Sequence, residues 1–395
     1  LARDFAGQIG AMLRPPGKQW FWHRTQHESL NNDRTTRDYL DWRSSQMMRI
    51  MTDRPTGFHR ACKMADEFFG FFGDAVLCVD VGKMQDSLRI HSYHIKDCTW
   101  ALGDDGRANL ITRKEKISLR NLAARFGRKN LHPKHLEALD KDGEQEVDIR
   151  HEVLPADEYD SYTQRGMQRK GGQFASVWLD ADNGHVLRET TQPTFRYVVA
   201  SWLRLPGMPN GISPATTIAL PDARLIQAQA VAILEAAERQ VNPPLIATHD
   251  SIRGDIRLDG ITWVDAQYDE RKGDPLRAME LGKNFRLGVD ALMRTEGQLT
   301  RAFYLDRLRM PDTRNSKSTV EVQFLIDEYI RAALPLFAPM QVEYNDPLLA
   351  EVDAMIELCG GYGMRPRPEQ LKGADFTFQR SEEHTSELQS RSAIS

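Results

Sequence analysis

From Asp222 to Gln240 the chain runs nineteen residues without Gly or Pro, six of them Ala, a composition that favours helix over any other local structure. Two starts precede this run. Ser213-Pro214 supplies a side-chain cap followed by proline at the first helical position, where a missing N–H costs nothing, and Pro221-Asp222 supplies another. Asn242-Pro243-Pro244 must stop the helix, because the residue before a proline is pushed out of the helical region and each Pro lacks a donor. Ala228, Ala232 and Ala236 recur at fourfold spacing, which lets a neighbouring helix approach closely, while Leu225, Ile226, Ile233 and Leu234 supply bulk. Leu245 to Asp265 reads as short strands, Leu245–Ala247, Ile256–Leu258 and Ile261–Val264, with Asp259-Gly260 as a tight turn. A second amphipathic run starts at Lys283, carries Phe285, Val289, Leu292, Leu299 and Phe303 at helical spacing, and ends near Arg309 before Pro311. Two long helices joined by a small β insert suit the lining or bracing of a channel, although a core helix of any globular protein would carry the same pattern.

The chain of 395 residues is long enough for two or three packed units. With 52 Lys and Arg against 56 Asp and Glu, its formal net charge is −4, so it is not a strongly basic nucleic-acid binder and any contact with DNA must be local. The longest uncharged stretch of the Ala-rich run, Leu225 to Leu234, is half the roughly 20 residues a bilayer demands, and no membrane partner is expected. Cys62, Cys78, Cys98 and Cys359 form no CxxC pair and are expected as reduced thiols of a cytoplasmic setting. The start lacks both an initiator Met and the pattern of a signal peptide, so the chain is expected to begin inside a gene. Arg380 to Ser390 looks like the conceptual translation of a sequencing-adapter oligonucleotide, so residues 380–395 are set apart as an artefact and the natural protein is expected to continue past Gln379.

The first third mixes helix and strand. Phe5, Ile9, Met12 and Leu13 give a helical stripe ended by Pro15-Pro16-Gly17, and Trp20-Phe21-Trp22 reads as a short aromatic strand. Asp33–Met51 and Gly57–Phe72 read as helices split by Asp53-Arg54-Pro55-Thr56. Strands are expected over Ala75–Asp80, Ser87–Tyr93, Cys98–Leu102 and Ala108–Lys114, then two short helices, Leu119–Phe126 and His132–Leu139. Val147–Leu154 is expected as strand, Phe174–Leu179 and His185–Thr191 as a hairpin, and Arg196–Leu205 as a last strand, with Thr163–Gln173 a polar loop. Beyond the second long helix, Pro311–Ser318 is a polar, basic loop; a further helix starts near Ser318, bends at Pro335 and Pro339, and ends at Gly360-Gly361.

Chemical motifs are sparse. A phosphate-binding loop needs GxxxxGK[ST]; the nearest stretch, Gly82-Lys83-Met84, lacks the hydroxyl residue and the first Gly. His91 and His94 sit an odd number of residues apart on a strand, so they point to opposite faces and share no metal. No catalytic residues, cofactor or metal ligands are expected. Leu119–Leu139 superficially resembles a helix-turn-helix, with Arg120, Arg125, Arg128 and Lys129 as its basic face, which leaves a helical DNA-binding regulator as an alternative.

The order of several moderate matches is more specific than any one of them. Phe174-Ala175-Ser176-Val177-Trp178, Trp202, Gly211-Ile212-Ser213-Pro214-Ala215, Ala219-Leu220-Pro221-Asp222-Ala223 and Asn242-Pro243-Pro244-Leu245 together resemble the head-to-tail connector, or portal, proteins of short-tailed bacteriophages. Pro15-Pro16-Gly17-Lys18-Gln19-Trp20-Phe21 and Phe69-Gly70-Phe71-Phe72-Gly73-Asp74-Ala75 agree. Asn210, where a Tyr is frequent, and Ser318-Thr319-Val320-Glu321-Val322 depart from the family pattern without removing a chemical group. The resemblance implies an α+β portal fold: a mixed wing (1–212), two long stem helices (213–240 and 283–309), a small β-containing clip (241–282), a tunnel loop (310–319), and a kinked tunnel helix with the start of a crown (320–379). It implies a homo-oligomeric ring, typically a dodecamer, at one capsid vertex of the virion, assembled in the host cytoplasm. Double-stranded DNA would pass through it without sequence readout, and its partners would be the packaging terminase ATPase, tail or adaptor proteins, and capsid and scaffolding proteins. Arg309, Arg314 and Lys317 are then the candidates to face DNA. A head-completion or tail adaptor is the nearest structural alternative.

Overall fold

The structure, a computed structural model, describes residues 1–15, 17–82, 88–163, 165–167, 172–213, 215, 219–241, 245–247, 252–253, 263–264, 276–278, 285–308 and 340–380. Two compact units share the chain: Leu1–Thr217 with Phe303–Ser395, and Ile218–Ala302.

The first unit opens with α1 (Ala2–Leu13), β1 (Phe21–Thr25), α2 (Glu28–Asn32), α3 (Arg34–Thr52) and α4 (Phe58–Phe72). Asp33 starts α3 by turning its carboxylate onto the Thr36 N–H at 3.1 Å, which satisfies a donor that the first turn leaves open. The stripe Phe5, Ile9 and Leu13 is buried, and α1 packs on α4 so closely that a Cβ on Gly70 would lie 3.0 Å from the Phe5 ring. Each such apolar side chain contributes about 1.5–3 kcal/mol on burial.

Strands β2 (Asp74–Val81), β3 (Leu88–Tyr93), β4 (Cys98–Leu102) and β5 (Ala108–Ser118) follow, then α5 (Leu119–Phe126), α6 (Pro133–Lys141), β6 (Glu146–Pro155), α7 (Ala156–Thr163), β7 (Phe174–Asp180), β8 (Val186–Gln192) and β9 (Tyr197–Ser201). They form two antiparallel sheets, ordered β3-β2-β9 and β4-β5-β6-β7-β8. Val76 and Tyr197 of the smaller sheet join Trp100, Ile111 and Val153 of the larger in one core cluster. On the larger sheet, Leu119, Leu122 and Phe126 of α5 pack with Val147, Ile149, Trp178 and Leu187.

In the second unit, α8 (Leu220–Val241) and α9 (Phe285–Ala302) pack side by side. Between them lie β10 (Leu245–Ala247), β11 (Ile252–Arg253), β12 (Trp263–Val264) and β13 (Leu276–Ala278), paired antiparallel as β10 with β13 and β11 with β12. Back in the first unit come α10 (Leu305–Leu308), a π-helical turn at Gln341–Asn345, α11 (Asp346–Leu358) and β14 (Phe376–Arg380), which pairs with β1.

Several expectations need correction. The second long helix does not run unbroken to Arg309: it stops at Ala302, and Tyr304 takes a left-handed backbone, φ 54°. That conformation costs roughly 1–2 kcal/mol. It is offset because the break lets Phe303 reach Phe5 (6.0 Å between ring centroids) and Tyr304 stack on Trp202 (6.4 Å, 12° between planes), pairs worth about 0.5–1.5 kcal/mol each beyond burial. The strand expected over Arg196–Leu205 ends at Ser201, since the Trp202 N–H leaves the ladder for the Gly73 carbonyl and the chain turns at Gly207, φ 82°. The short aromatic strand is shifted to Phe21–Thr25, and its partner β14, not anticipated at all, includes Arg380 opposite Phe21. Helix α7 was likewise unforeseen. The expected helix start at Ser213-Pro214, the strand at 256–258 and its turn at 259–260, the loop at 310–319 and the helix bend at Pro335 and Pro339 lie wholly or partly outside the described residues.

Candidate functional site

The Ala-rich helix is the first candidate, and its geometry is unusual for a core element: no residue of α8 is buried. Ile233 lies over Gly288 of α9, where an added Cβ would sit 3.4 Å from the Ile233 side chain. By helical spacing Ile226, Ala230 and Ala237 share the Ile233 face, and all four are half-buried. Ala228, Ala232 and Ala236 fall on the other side and are exposed, as are Leu225, Val231 and, at 65 % of its full area, Leu234. The ridge of small residues that would admit a close neighbour therefore does not face the helix this chain supplies. Arg309, Arg314 and Lys317, the candidates to face DNA, lie outside the described residues.

The second candidate was invisible in the sequence. His23 of β1 places Nδ1 2.8 Å from Ser44 Oγ of α3 and Nε2 3.1 Å from Asp353 Oδ1 of α11, the spacing of a nucleophilic triad. The three are separated by 21 and 330 positions and match no motif, so no sequence signal could have found them. The surroundings rule out that use of the serine. His23 and Ser44 are fully buried, and Ser44 Oγ accepts the His23 main-chain N–H at 2.7 Å while lying 2.7 Å from the Leu40 carbonyl, to which it donates. Asp353 is bound on its other sides by Arg43 (Nε at 3.0 Å, a terminal nitrogen at 2.7 Å) and by the Tyr362 hydroxyl at 2.6 Å. Burial alone would push the Asp353 carboxyl up, but the donors from His23 and Arg43 hold it well below the usual carboxylate range. Arg43 also stacks over Tyr362 and Phe376, its guanidinium carbon 4.0 and 4.7 Å from their ring centroids. The cluster is a clamp that ties β1, α3, α11 and β14 together.

A second buried pair, Arg14 and Asp66, joins α1 to α4, and Arg14 also donates to Asn345 Oδ1 at 2.8 Å in the π-helical turn. A third group lies in the large sheet, where His151 stacks on Trp178 (4.0 Å, 10°) and contacts Ser176 and Tyr197 at 2.8 and 2.7 Å. Burial, with Arg113 nearby, lowers the His151 pKa well below its ordinary value.

Three of the four cations expected on the basic face of the helix-turn-helix alternative are paired with acids. Arg125 pairs with Glu115 at 3.1 Å, Arg128 with Asp140 at 2.5 Å and Arg120 with Glu144 at 3.6 Å, while the apolar side of α5 covers the sheet. His94, at the end of β3, accepts the Lys96 N–H at 3.1 Å and packs on Phe68 and Phe72. Among the described residues no group of three or more His, Cys, Asp or Glu is placed to hold a metal ion, and no helix is long and apolar enough to cross a membrane.

In the first unit the buried charged groups of the clamps bind one another, and in the second the small-residue ridge of α8 is exposed. The family model of bacteriophage head to tail connecting proteins matches residues 1–379, and the chain belongs to that family. Its role is structural, as a phage head–tail connector and component of the virion that assembles with capsid and tail components. A search of curated proteins finds no match.

Proposed function

We propose that the chain is a portal subunit, one of several identical copies in a closed ring, typically twelve, at a single capsid vertex, through which DNA enters during packaging and leaves during ejection. In this reading residues 1–212 form the wing, 213–240 and 283–309 the stem helices, 241–282 the clip that meets tail or adaptor proteins, 310–319 the tunnel loop, and 320–379 the kinked tunnel helix and the start of a crown. The packaging terminase ATPase docks on the ring and supplies the energy, assembly takes place in the host cytoplasm with capsid and scaffolding proteins, and the subunit itself catalyses nothing.

One observation supports the ring above others: the exposed ridge Ala228, Ala232 and Ala236 faces away from α9, so the neighbour it is shaped to receive comes from another copy. Negative-stain electron microscopy of the purified protein tests this. Closed rings with a central hole are expected, and Ala232→Arg, which places a bulky charge on the ridge without touching a buried residue, is expected to leave monomers with unchanged circular dichroism. Monomers or open filaments from the unsubstituted chain would overturn the reading.

A channel that moves DNA should not grip it, because each phosphate contact releases counterions and adds affinity that stalls sliding. A subunit of net charge −4 suits that requirement. Arg309, Arg314 and Lys317 are proposed to touch the passing backbone transiently. Replacing both Arg314 and Lys317 with Ala is expected to slow packaging and ejection in an infection assay while rings still form; unchanged DNA movement would remove them from this role.

A further inference from the structure

The first unit runs to Thr217 and resumes at Phe303, and the segment before the exit and the one after the return both meet the end of the small sheet at Ser201–Trp202. Asp74 of β2 and Ser201 of β9 are register partners. The Asp74 carboxylate is buried, accepts the Ser201 hydroxyl at 2.6 Å, and takes the Gly211 N–H at 2.8 Å on each oxygen. Arg204 donates to Ser201 Oγ at 2.7 Å and the Ser213 hydroxyl to the Phe71 carbonyl at 2.8 Å. The approach leaves no room for side chains: a Cβ on Gly73, φ 88°, would lie 2.7 Å from the main chain of Ile212 and Ser213, and one on Gly211 2.5 Å from the Gly73 oxygen. The outgoing strand is thus fastened to the end of α4.

Trp202, the next residue along, serves the returning strand. Its main-chain N–H donates to the Gly73 carbonyl at 2.7 Å, while its ring stacks on Tyr304 and touches Phe5 and Phe69 at centroid distances of 5.6 and 5.4 Å. The left-handed backbone at Tyr304 brings the Phe303 and Tyr304 rings to this corner, and a non-glycine residue holds such a conformation only where its surroundings over-determine it.

We propose that the Asp74–Ser201 rung and the adjacent Trp202 are one anchor for both chain passages between the two units, so that the strand at Gly211–Ser213 and the turn at Phe303–Tyr304 are held and released together. Every residue of the anchor belongs to the first unit, and the proposal does not depend on the ring reading. Hydrogen–deuterium exchange of the full chain, resolved by peptide, tests it with Asp74→Asn, Tyr304→Ala and Trp202→Phe. Tyr304→Ala is expected to speed exchange about tenfold at the distant residues 211–213 as well as at 303–305, and Asp74→Asn to do the same in reverse, since loss of a charge-assisted bond or a buried ring in one cooperative element opens the whole element. Trp202→Phe, which keeps the main-chain bond and an aromatic ring, should leave both passages close to the unsubstituted rate. Acceleration confined to each variant's own passage would overturn the proposal. Should Asp74→Asn not fold, the response of residues 211–213 to Tyr304→Ala decides the matter alone.

Discussion

Asp353→Ala is expected to destabilise the first unit by about 3–5 kcal/mol, the effect of removing one partner from a buried ion pair and leaving the other uncompensated. Arg43 has 1 % of its side chain exposed and cannot shed its proton, so its charge would stay behind with only the half-exposed Glu357, at 2.7 Å, to meet it. His23 and Tyr362 would each lose a bond as well. Urea unfolding followed by tryptophan fluorescence measures the change, with Trp20, Trp22 and Trp42 close to the clamp in sequence or contact. The same group predicts an acid limb. Because the folded carboxyl titrates below the unfolded value of about 3.9, the unfolded chain binds more protons in the interval between the two, and stability falls with falling pH there. The contribution is complete above the unfolded value and disappears as pH drops through the folded one. Asp353→Ala should flatten that limb; an unchanged acid profile would remove Asp353 from the account.

The second large effect is expected at Asp66. Arg14 and Asp66 have only 4 % of their side chains exposed, and Asp66→Ala strands the guanidinium between α1 and α4, for a loss of about 3–5 kcal/mol. Tyr344, whose ring centroid lies 4.8 Å from the guanidinium carbon, and Asn345 remain as partners, so the charge is not wholly unsolvated. Burial opposes the charge of Arg14, but the attraction of Asp66 and the neighbouring Tyr344 and Cys62 raises its pKa on balance. The double substitution Arg14→Met with Asp66→Leu is expected to recover most of the loss, because a pair of apolar side chains of similar volume needs no desolvation. If the double variant were no more stable than Asp66→Ala, packing around Asp66 and not its charge would be the source of the effect.

How far the fold could be read in advance varied with the range of the interactions involved. Helices α1, α3, α4, α5 and α6, and strands β2 to β8 except for their ends, were legible because capping residues, Gly and Pro punctuation and apolar spacing act over a few residues. Strand β14 was not, because its partner β1 lies some 350 positions away and the Phe376–Arg380 stretch carries no turn signal of its own. The helix break at Tyr304 ran against local pattern: Leu299 and Phe303 continue the stripe, and only the aromatic corner made by Phe5, Phe69 and Trp202 makes the break favourable. The same holds for the clamp at Asp353, whose members come from four separate elements.

By itself the sequence determined the α+β class, the helix, insert, helix order, though not the end of the second helix at Ala302, the absence of a recognisable catalytic motif, and, through motifs met in a set order, the resemblance to phage connectors that the family match over residues 1–379 confirms. These depend on local propensity and on order along the chain, which one sequence records. Only the tertiary structure decided which side of α8 meets α9 and which is left open, that His23, Ser44 and Asp353 form a sealed clamp, and that Gly211 and Tyr304 come to one corner beside Trp202. Such choices rest on contacts between residues tens to hundreds of positions apart. Their energies become favourable only when the whole unit closes around them, so no single segment carries their signature.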